Sequence, residues 1–498
     1  MLDCAVAVIG AGFGGIAMGV ALKRAGIEDF LIFDKGHEVG GVWRENTSPG
    51  CSCDVPSHLY SLSCAPYRDR RVRYPGQREI LAYLRRVADE HGLTRHLRLG
   101  VAITEATYLD DTGSWRLGTA CGHYSMAEVV VFAVGQLHRP NIPDLPGRAE
   151  FAGPAFHSAE WDHGVDLRDR AVAVIGTGSS AAQMLPDLAA TARRVFVFQR
   201  TPHWVLPKPR PEFGPVSRAA LRVPGAHELY RRMLYHGADR VLAPVMRRGW
   251  SARPVEWVAR RHLRRQVLDP ALRAKLTPGY PIGGKRIVFD SRFYTMLTCP
   301  TVELVTEAIE RVTADGVETV DGTLRRCDVL IYATGFRASE FLVPVTVRGR
   351  GGAVLHERWA TGASAFLGVA VPGFPNAFLI AGPNTFNPAG SNPTMKECQV
   401  DFIVRCLRWR AELGAAAIEV TPEATLDYQR WLGKAMSATV WPTVERSWYK
   451  HCTGRVTNPW PASARAFGKM LRRHPAESFA VVRIGDRGGH RADTGRTP

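Results

Sequence analysis

Two glycine-rich segments, 166 residues apart, have the composition and spacing of phosphate-binding turns. The pentapeptide VAVIG occurs at 6–10 and again at 172–176, and each copy continues into an apolar helical segment. The first glycine of such a turn permits the tight bend, the second lets the backbone approach a pyrophosphate, and the helix N-terminus offers unpaired N–H groups. The third position needs only a small side chain, so alanine is acceptable there. The residues concerned are Gly10, Gly12 and Gly15 in the first copy, and Gly176, Thr177, Gly178, Ser179, Ser180 and Ala181 in the second.

A residue that could bind the ribose or its 2′-phosphate follows each turn at the same distance. Asp34 lies 22 residues after Gly12, and Arg200 lies 22 residues after Gly178, each at the end of an apolar segment. A carboxylate accepts hydrogen bonds from a ribose 2′-OH and repels a 2′-phosphate, so the first site is expected to bind the adenosine half of FAD or NAD. A guanidinium offers several donors to a phosphate, so the second site is expected to prefer NADP.

Buried strands must hold these turns in place, and their order predicts an insertion of one domain into another. The segments 30–35 and 194–200 read as the second strand of each unit, and the apolar segments 129–135 and 329–335 as the strands that complete each unit. We therefore predict an α/β fold with two Rossmann-like dinucleotide-binding domains, the NADP domain inserted into the FAD domain. The expected order is an N-terminal segment of the FAD-binding domain (1–140), a linker (141–165), the NADP domain (166–335) with a helical basic insertion (205–280), a C-terminal segment of the FAD-binding domain (336–465), and a flexible basic tail (466–498).

Composition and charge restrict the remaining possibilities. The chain has 498 residues and a formal net charge of +17, which could indicate nucleic acid, a membrane surface or small anionic ligands as partners. Residues 201–280 hold 16 basic against 5 acidic residues, and 465–498 hold 8 against 3, so the excess belongs to the basic insertion and the tail. The ten cysteines show no C-x-x-C pair and no metal-ligand spacing, so we expect reduced thiols, no metal site and a cytoplasmic location.

The segment before the second turn carries a family resemblance. Phe151, Gly153, His157 and Trp161, followed by Asp162, fit the pattern F-x-G-x-x-x-H-x-x-x-W-[PD]. This pattern resembles the fingerprint of the Baeyer–Villiger monooxygenases, within the class B flavoprotein monooxygenases. In that family its role is mainly conformational. Since His157 and Trp161 are four residues apart, a helical turn would place them on one face.

Further matches to the same family extend over roughly residues 5–465. Gly40–Arg44 and Pro49–Tyr60 resemble its flavin-covering loop, Phe198–His203 its 2′-phosphate segment, and Ser447–Tyr449 a C-terminal element over NADP. Gly284–Arg286 resembles the segment that carries the active-site arginine. The resemblance implies FAD contacts from Asp34, Lys35, Gly41, Val42, Trp43, Asp54 and Tyr60, and NADP contacts from Arg200, Thr201, Lys285 and Trp448.

The resemblance also implies the reaction. An FAD-dependent, NADPH-consuming monooxygenase would insert one oxygen atom of O2 next to a ketone carbonyl and give an ester or lactone through a C4a-peroxyflavin. Because charge develops on oxygen, a permanent cation is needed, and Arg286 suits this role, with Asp54 to orient it and modulate its charge. The alternative for Arg286 is an ordinary surface residue of a basic loop. The alternative for Asp54 is a turn or helix N-cap residue with no catalytic role.

Other functions remain open from the sequence. Heteroatom oxygenation of sulfur or nitrogen would use the same cofactors without an active-site arginine. A disulfide reductase would need a redox pair beside the flavin, and Cys51 and Cys53, with one residue between them, do not supply it. A nucleic-acid binder would leave both nucleotide motifs unexplained. We expect a small ketone and O2 as partners, no nucleic acid and no membrane association, and leave the oligomeric state and the identity of the ketone open. The basic insertion (205–280) is expected to help wall the substrate cavity, with a membrane-facing or partner-binding patch as the alternative.

Overall fold

Two β-sheets, the first mixed and the second parallel, lie one behind each glycine-rich turn in the computed structural model, which describes residues 2–484. The strands are short, and those at the centre of the two sheets are largely buried. They are β1 (Cys4–Ile9), β2 (Phe30–Asp34), β3 (Leu97–Leu99), β4 (Ile103–Leu109), β5 (Ser114–Thr119), β6 (Tyr124–Phe132), β7 (Ala155–His157), β8 (Ala171–Ile175), β9 (Arg194–Phe198), β10 (Val205–Leu206), β11 (Val288–Phe289), β12 (Val302–Val305), β13 (Ile309–Thr313), β14 (Gly316–Thr319), β15 (Leu324–Arg326), β16 (Val329–Tyr332), β17 (Thr346–Arg348), β18 (Ala377–Leu379), β19 (Ala417–Val420) and β20 (Phe479–Val482).

Helices follow most of the parallel strands and cover the sheets. They are α1 (Phe13–Arg24), α2 (Val42–Glu45), α3 (Gln77–Glu90), α4 (Ser179–Thr191), α5 (Pro215–Ala220), α6 (Ala226–Gly237), α7 (Ala243–Val245), α8 (Ala252–Gln266), α9 (Pro270–Lys275), α10 (Phe293–Met296), α11 (Leu355–Arg358), α12 (Asn392–Glu412), α13 (Pro422–Ser437) and α14 (Ala464–Leu471). Shorter 3₁₀ turns occupy Thr94–His96, Arg148–Glu150, Arg350–Gly352, Trp441–Thr443 and Pro475–Glu477, and a π-helical turn occupies Ala238–Leu242.

The first sheet is built from both ends of the chain. Its order is β17-β4-β5-β6-β1-β2-β3, with β18 also paired to β6. β1 lies between two parallel neighbours, with Val6 opposite Phe30 on β2 and Val129 on β6. Such central strands bury both faces, which explains their continuous apolar sequences. Because β18 pairs with β6 through Ala377 and Val130, the chain returns to the first sheet after completing the second.

The second sheet has the order β12-β9-β8-β16-β7 and is parallel throughout. Its edge strand β7 comes from the segment predicted as a linker, and it places His157 opposite Tyr332 of β16. The prediction of a helical turn shared by His157 and Trp161 is therefore wrong. The strand pairing takes up the backbone hydrogen bonds that a helix would have needed.

The chain passes between the two sheets twice, and the two passages lie side by side. Pro140 and Phe336 form an isolated antiparallel bridge, and the Asn141 N–H donates to the Gly335 carbonyl oxygen at 2.8 Å. Each sheet has its own apolar clusters on both faces. Each nucleotide turn is therefore supported by a separate core.

The basic insertion contains helices α5 to α9. It is tied back to the second unit by β10, which pairs with β11 through Val205 and Val288. Leu263 of α8 is buried in a cluster with residues of β8 and α4.

The C-terminal segment is ordered further than the sequence suggested. The prediction of a flexible tail from residue 466 is wrong for 466–482, because α14 buries Phe467 and Leu471, and β20 pairs with β19. The remaining residues of that prediction, 485–498, lie outside the described residues. No helix in the described part of the chain is long and apolar enough to span a membrane.

Candidate active site

A cavity of about 670 Å³ connects the first glycine-rich turn to the start of the second unit's helix α4. Its size lies in the range of small-molecule and cofactor sites. Gly10 and Gly12 line it from the first turn, and Ser179 and Ser180 line it from α4. The other predicted residues that line it are Asp34, Lys35, Gly41, Val42, Trp43, Asp54, Tyr60, Arg286 and Trp448.

The first turn has the backbone shape that a pyrophosphate requires. Gly10 has a φ of +109°, which L-residues with a side chain rarely adopt, and a Cβ there would overlap the Ala133 carbonyl. Gly12 has free space on its Cα side, bounded only by the backbone of Gly41. Since the turn leads directly into α1, the amides of the helix N-terminus face the same space. The turn therefore fits a dinucleotide phosphate.

Asp34 is fixed at the end of β2 before any ligand binds. Its carboxylate accepts hydrogen bonds from the Ala11 N–H at 2.7 Å and the Gly36 N–H at 2.8 Å. Arg44 of α2 pairs with it at 3.0 Å. The side chain is 7% exposed and lines the cavity, where its carboxylate can accept a hydrogen bond from a ribose hydroxyl.

The second turn repeats this geometry and adds positive charge. Gly176 has a φ of +115°, and no atom lies within 4 Å of where a Gly178 Cβ would stand. Within residues 2–484, Arg200 makes no ion pair with a carboxylate. Burial, together with the charge of Arg200, lowers the pKa of Lys285 to about 8. Burial, together with Lys285, lowers the pKa of His203 to about 4, and the buried His203 Nδ1 has no hydrogen-bond partner in the described structure.

This cluster of nitrogen groups without an acid fits an anion. Thr177 is buried and Thr201 is half-buried, both on this side of the second sheet. A 2′-phosphate would be the negatively charged partner that Arg200 and Lys285 do not have on the protein in the described residues.

Arg286 and Asp54, the two predicted catalytic residues, form an ion pair. Arg286 Nη2 donates to Asp54 Oδ2 at 2.6 Å, and the guanidinium carbon lies 5.4 Å from the centre of the Phe386 ring. Burial is the largest single influence on the pKa of Arg286 and lowers it, but the charge and hydrogen bond of Asp54, together with Tyr449 and Cys53, raise the pKa above its ordinary value. The cation is therefore permanent, and it faces the cavity shared by the two units.

Three separate parts of the chain hold this ion pair in place. Lys208 of the basic insertion donates to the Cys53 carbonyl oxygen at 2.9 Å, next to Asp54. Trp441 donates to the Gly283 carbonyl oxygen at 3.0 Å, which fixes the loop that carries Arg286. Trp448 packs edge-on against Phe386, with ring centres 4.9 Å apart.

The fingerprint residues lie away from the cavity. His157 is fully buried, 5.6 Å from the Phe336 ring, and burial lowers the pKa of its imidazole, which is therefore neutral at physiological pH. Trp161 packs edge-on against Phe156 at 5.2 Å. Phe151 packs beneath the second sheet, and a Cβ on Gly153 would overlap the Asp328 carbonyl oxygen. These residues shape the second sheet and the passage at Gly335–Phe336.

The cysteines near the cavity are protonated thiols in the described structure. Cys51 and Cys53 form no disulfide, burial raises the pKa of Cys51 to about 11, and burial raises the pKa of Cys53 further. Thiols with raised pKa values do not exchange disulfides at neutral pH. Among residues 2–484, no group of three or more His, Cys, Asp or Glu side chains has metal-site geometry.

The sequence does not predict a functional role for three basic residues that lie in or near the cavity. Arg44 belongs to the segment that resembles the flavin-covering loop, and only the fold shows that it holds Asp34. Lys208 lies in the insertion, where no motif marks it. Lys396, on the second turn of α12, lines the cavity, and burial lowers the pKa of its ammonium to about 8.

Comparisons with known proteins agree with this geometry. Residues 7–223 match the family model described as pyridine nucleotide-disulphide oxidoreductase. A protein from Streptomyces coelicolor named Baeyer-Villiger monooxygenase is 38% identical over 481 residues, which cover 96% of this chain and 92% of that protein.

Solved structures extend the similarity to the fold as a whole. An oxidized steroid monooxygenase bound to NADP is 31% identical, with a TM-score of 0.84, over 96% of this chain and 99% of that one. OTEMO in complex with FAD and NADP is 26% identical, with a TM-score of 0.86, over 97% and 100%. With two nucleotide turns, a paired arginine between them and a relative of this identity and coverage, the chain belongs to the Baeyer–Villiger monooxygenase family.

Proposed function

We propose that this chain is an FAD- and NADPH-dependent monooxygenase that converts a ketone and O2 into an ester or lactone. The observation that carries this proposal is the Arg286–Asp54 ion pair, at 2.6 Å, in a cavity bordered by both nucleotide turns. An arginine in this position serves a reaction in which negative charge develops on oxygen.

The two cofactors would be held by different residues. Gly10, Gly12 and Asp34 would bind the pyrophosphate and ribose of FAD, and the cavity side chains from Gly41 to Tyr60 would cover its ring system. NADPH would bind at Gly176 and Gly178, with its 2′-phosphate between Arg200 and Lys285. When bound and reduced by NADPH, FAD supplies the activation of O2, which no amino-acid side chain can perform.

Arg286 would stabilise the charge that forms on oxygen as the ketone is attacked. Its guanidinium remains charged at any working pH and presents several donors to an oxyanion. The Phe386 ring and Trp448 beside it keep the cation in an apolar environment, where its interaction with a developing oxyanion is stronger than in water.

Asp54 would orient Arg286 and adjust its effective charge. A single strong hydrogen bond to one Nη atom leaves the other guanidinium donors free for a substrate or cofactor oxygen. Asp54 therefore acts as a positioning residue for the cation.

Substitution of Arg286 tests this proposal. We expect Arg286→Ala to reduce bound flavin with NADPH as the parent enzyme does, but to form ester roughly 100- to 1000-fold more slowly. The measurements are flavin absorbance under anaerobic conditions and ester yield from a simple cyclic ketone. Arg292→Ala, an exposed arginine six residues further along the chain, is the matched control and should leave both unchanged.

Two outcomes would contradict the assignment. Ester formation by Arg286→Ala at the parent rate would show that Arg286 takes no part in the reaction. A parent enzyme that oxygenates a sulfide but no ketone would identify heteroatom oxygenation as the reaction. We also propose a cytoplasmic location, because the described cysteines are all unpaired, as is usual in a reducing compartment.

A further inference from the structure

The basic insertion exposes an unusual amount of apolar surface. Among the described residues, sixteen large apolar side chains are exposed, and nine of them lie between residues 216 and 268. Trp250, Trp257 and Leu268 are 70%, 61% and 82% exposed. Exposed tryptophans gathered in one segment of a protein indicate an interaction surface rather than chance exposure.

Helix α8 shows how this surface is arranged. Ala259 and Leu263 are buried in apolar clusters on its inner side. Side chains at intervals of three and four residues share one face of a helix, and those opposite the buried residues are exposed. We call the following residues the outer face of α8: Arg253, Trp257, Val258, Arg261, Arg264 and Arg265.

The charges of this face have no counterions on the protein. The one acidic residue of α8, Glu256, pairs with Arg260 at 2.8 Å, which is not part of the outer face. Within residues 2–484, none of the four arginines of the outer face forms an ion pair. Arg261 lies over the Trp257 ring at 5.4 Å, so cation and aromatic side chain are presented together.

The combination of unpaired arginines and exposed apolar side chains distinguishes between possible binding partners of this face. A second copy of the same face would bring four arginines against four, and this repulsion opposes a symmetric dimer through α8. A nucleic acid would satisfy the arginines but would leave Val258 and Leu268 in water. A bilayer with anionic lipids satisfies both, because its phosphates accept from arginine and its interfacial layer accommodates tryptophan and aliphatic side chains.

We propose that the outer face of α8 docks reversibly on an anionic phospholipid bilayer. α8 would lie in the plane of the membrane, with Trp257 and Val258 in the interfacial layer and the arginines at lipid phosphates. The sequence favours no membrane association and leaves a membrane-facing patch in the basic insertion as an alternative; the exposure of these residues on one face is visible only in the fold. An enzyme docked in this way could take poorly water-soluble ketones directly from the bilayer.

Sedimentation with vesicles tests the proposal on the full-length, FAD-loaded protein. We expect binding to phosphatidylcholine vesicles that contain phosphatidylglycerol, weak binding to phosphatidylcholine alone, and loss of binding as salt screens the charges. Arg261→Gln combined with Arg264→Gln should weaken binding roughly 25-fold, about five-fold for each arginine. Trp257→Ala should weaken it several-fold.

Arg85→Gln combined with Arg86→Gln provides the matched control. These arginines are exposed on α3 but pair with Glu38 and Glu90, and their loss should leave vesicle binding unchanged. NADPH oxidation with a water-soluble ketone should be the same in all variants, which shows that each one is folded.

Three results would overturn the proposal. The first is equal sedimentation with neutral and anionic vesicles, or none with either. The second is binding to duplex DNA as tight as to anionic vesicles and insensitive to Trp257→Ala. The third is a dimer in solution that Trp257→Ala dissociates while vesicle binding is absent, which would assign the face to a second copy.

Discussion

Lys208 Nζ lies 2.9 Å from the Cys53 carbonyl oxygen, so a lysine from the basic insertion holds the residue that precedes Asp54. The same ammonium lies 4.8 Å from the centre of the Tyr74 ring, and burial lowers its pKa. Because it is half-buried between the two units, this lysine makes the position of the proposed active-site carboxylate depend on a segment of the second unit.

Loss of this contact should loosen Asp54 without affecting nicotinamide binding. We expect Lys208→Met to lower the ester formed per NADPH consumed by roughly ten-fold, the value of one hydrogen bond from a charged donor. Product yield against NADPH consumption measures this ratio. Lys275→Met, a lysine of the same insertion whose side chain lies near Glu307, should behave as the parent, and an equal loss in both variants would argue against a specific role for Lys208.

Arg200 should determine the choice between NADPH and NADH. Arg200→Ala removes donors from the 2′-phosphate alone, so we expect about 10- to 100-fold weaker binding of NADPH and little change for NADH. Dissociation constants for both nucleotides give the comparison. Arg194→Ala, on the same strand but paired with Glu303 at 2.8 Å, is the control. Equal weakening of both nucleotides in Arg200→Ala would mean that the residue does not contact the phosphate.

The pH dependence of NADPH binding should report on Lys285. Burial and Arg200 hold the pKa of this lysine near 8, so the ammonium is charged at neutral pH and loses its proton as the pH rises through 8. Phosphate binds the charged form, so NADPH affinity should fall above pH 8, while NADH affinity stays level. Lys285→Arg should remove the pH dependence because arginine keeps its charge. An unchanged slope in that variant would assign the titration to another group.

Lys396 should destabilise the cofactor-free protein. Burial lowers the pKa of its ammonium from 10.5 to about 8, and within residues 2–484 it has no ion-pair partner. At neutral pH the folded state carries a charge that the unfolded state solvates better, so Lys396→Met should raise the free energy of unfolding by about 1–3 kcal/mol. Denaturant unfolding measures this difference.

The pKa values of Lys396 in the folded and unfolded states determine how its destabilising effect changes with pH. A folded-state pKa below the unfolded one means that the destabilisation is complete below pH 8 and disappears as the pH rises from 8 towards 10.5. The difference between Lys396→Met and the parent should therefore close over that range. Equal stability of the two proteins at neutral pH would show that the ammonium is solvated within the cavity.

The sequence predicts what a local pattern controls, and the family resemblance adds the pairing of Arg286 with Asp54, but long-range packing that no motif marks is missed. Gly10, Gly176 and the following strands could be placed because turn, strand and helix lie within about 30 residues of one another. Lys208 and Lys396 could not be placed, because only the folded chain brings 208 beside 53 and 396 into the first unit's cavity. The sequence does not predict strand β7, because three residues are too few to show a period of two.

The paired passages at Pro140 and Phe336 have a mechanical consequence. Two connecting segments that pair side by side restrict the relative movement of the two nucleotide units more than a single segment would, and contacts such as the Lys208–Cys53 hydrogen bond restrict it further. His157 packs against Phe336 beside these passages. The fingerprint therefore supports the connection between the two units without lining the cavity.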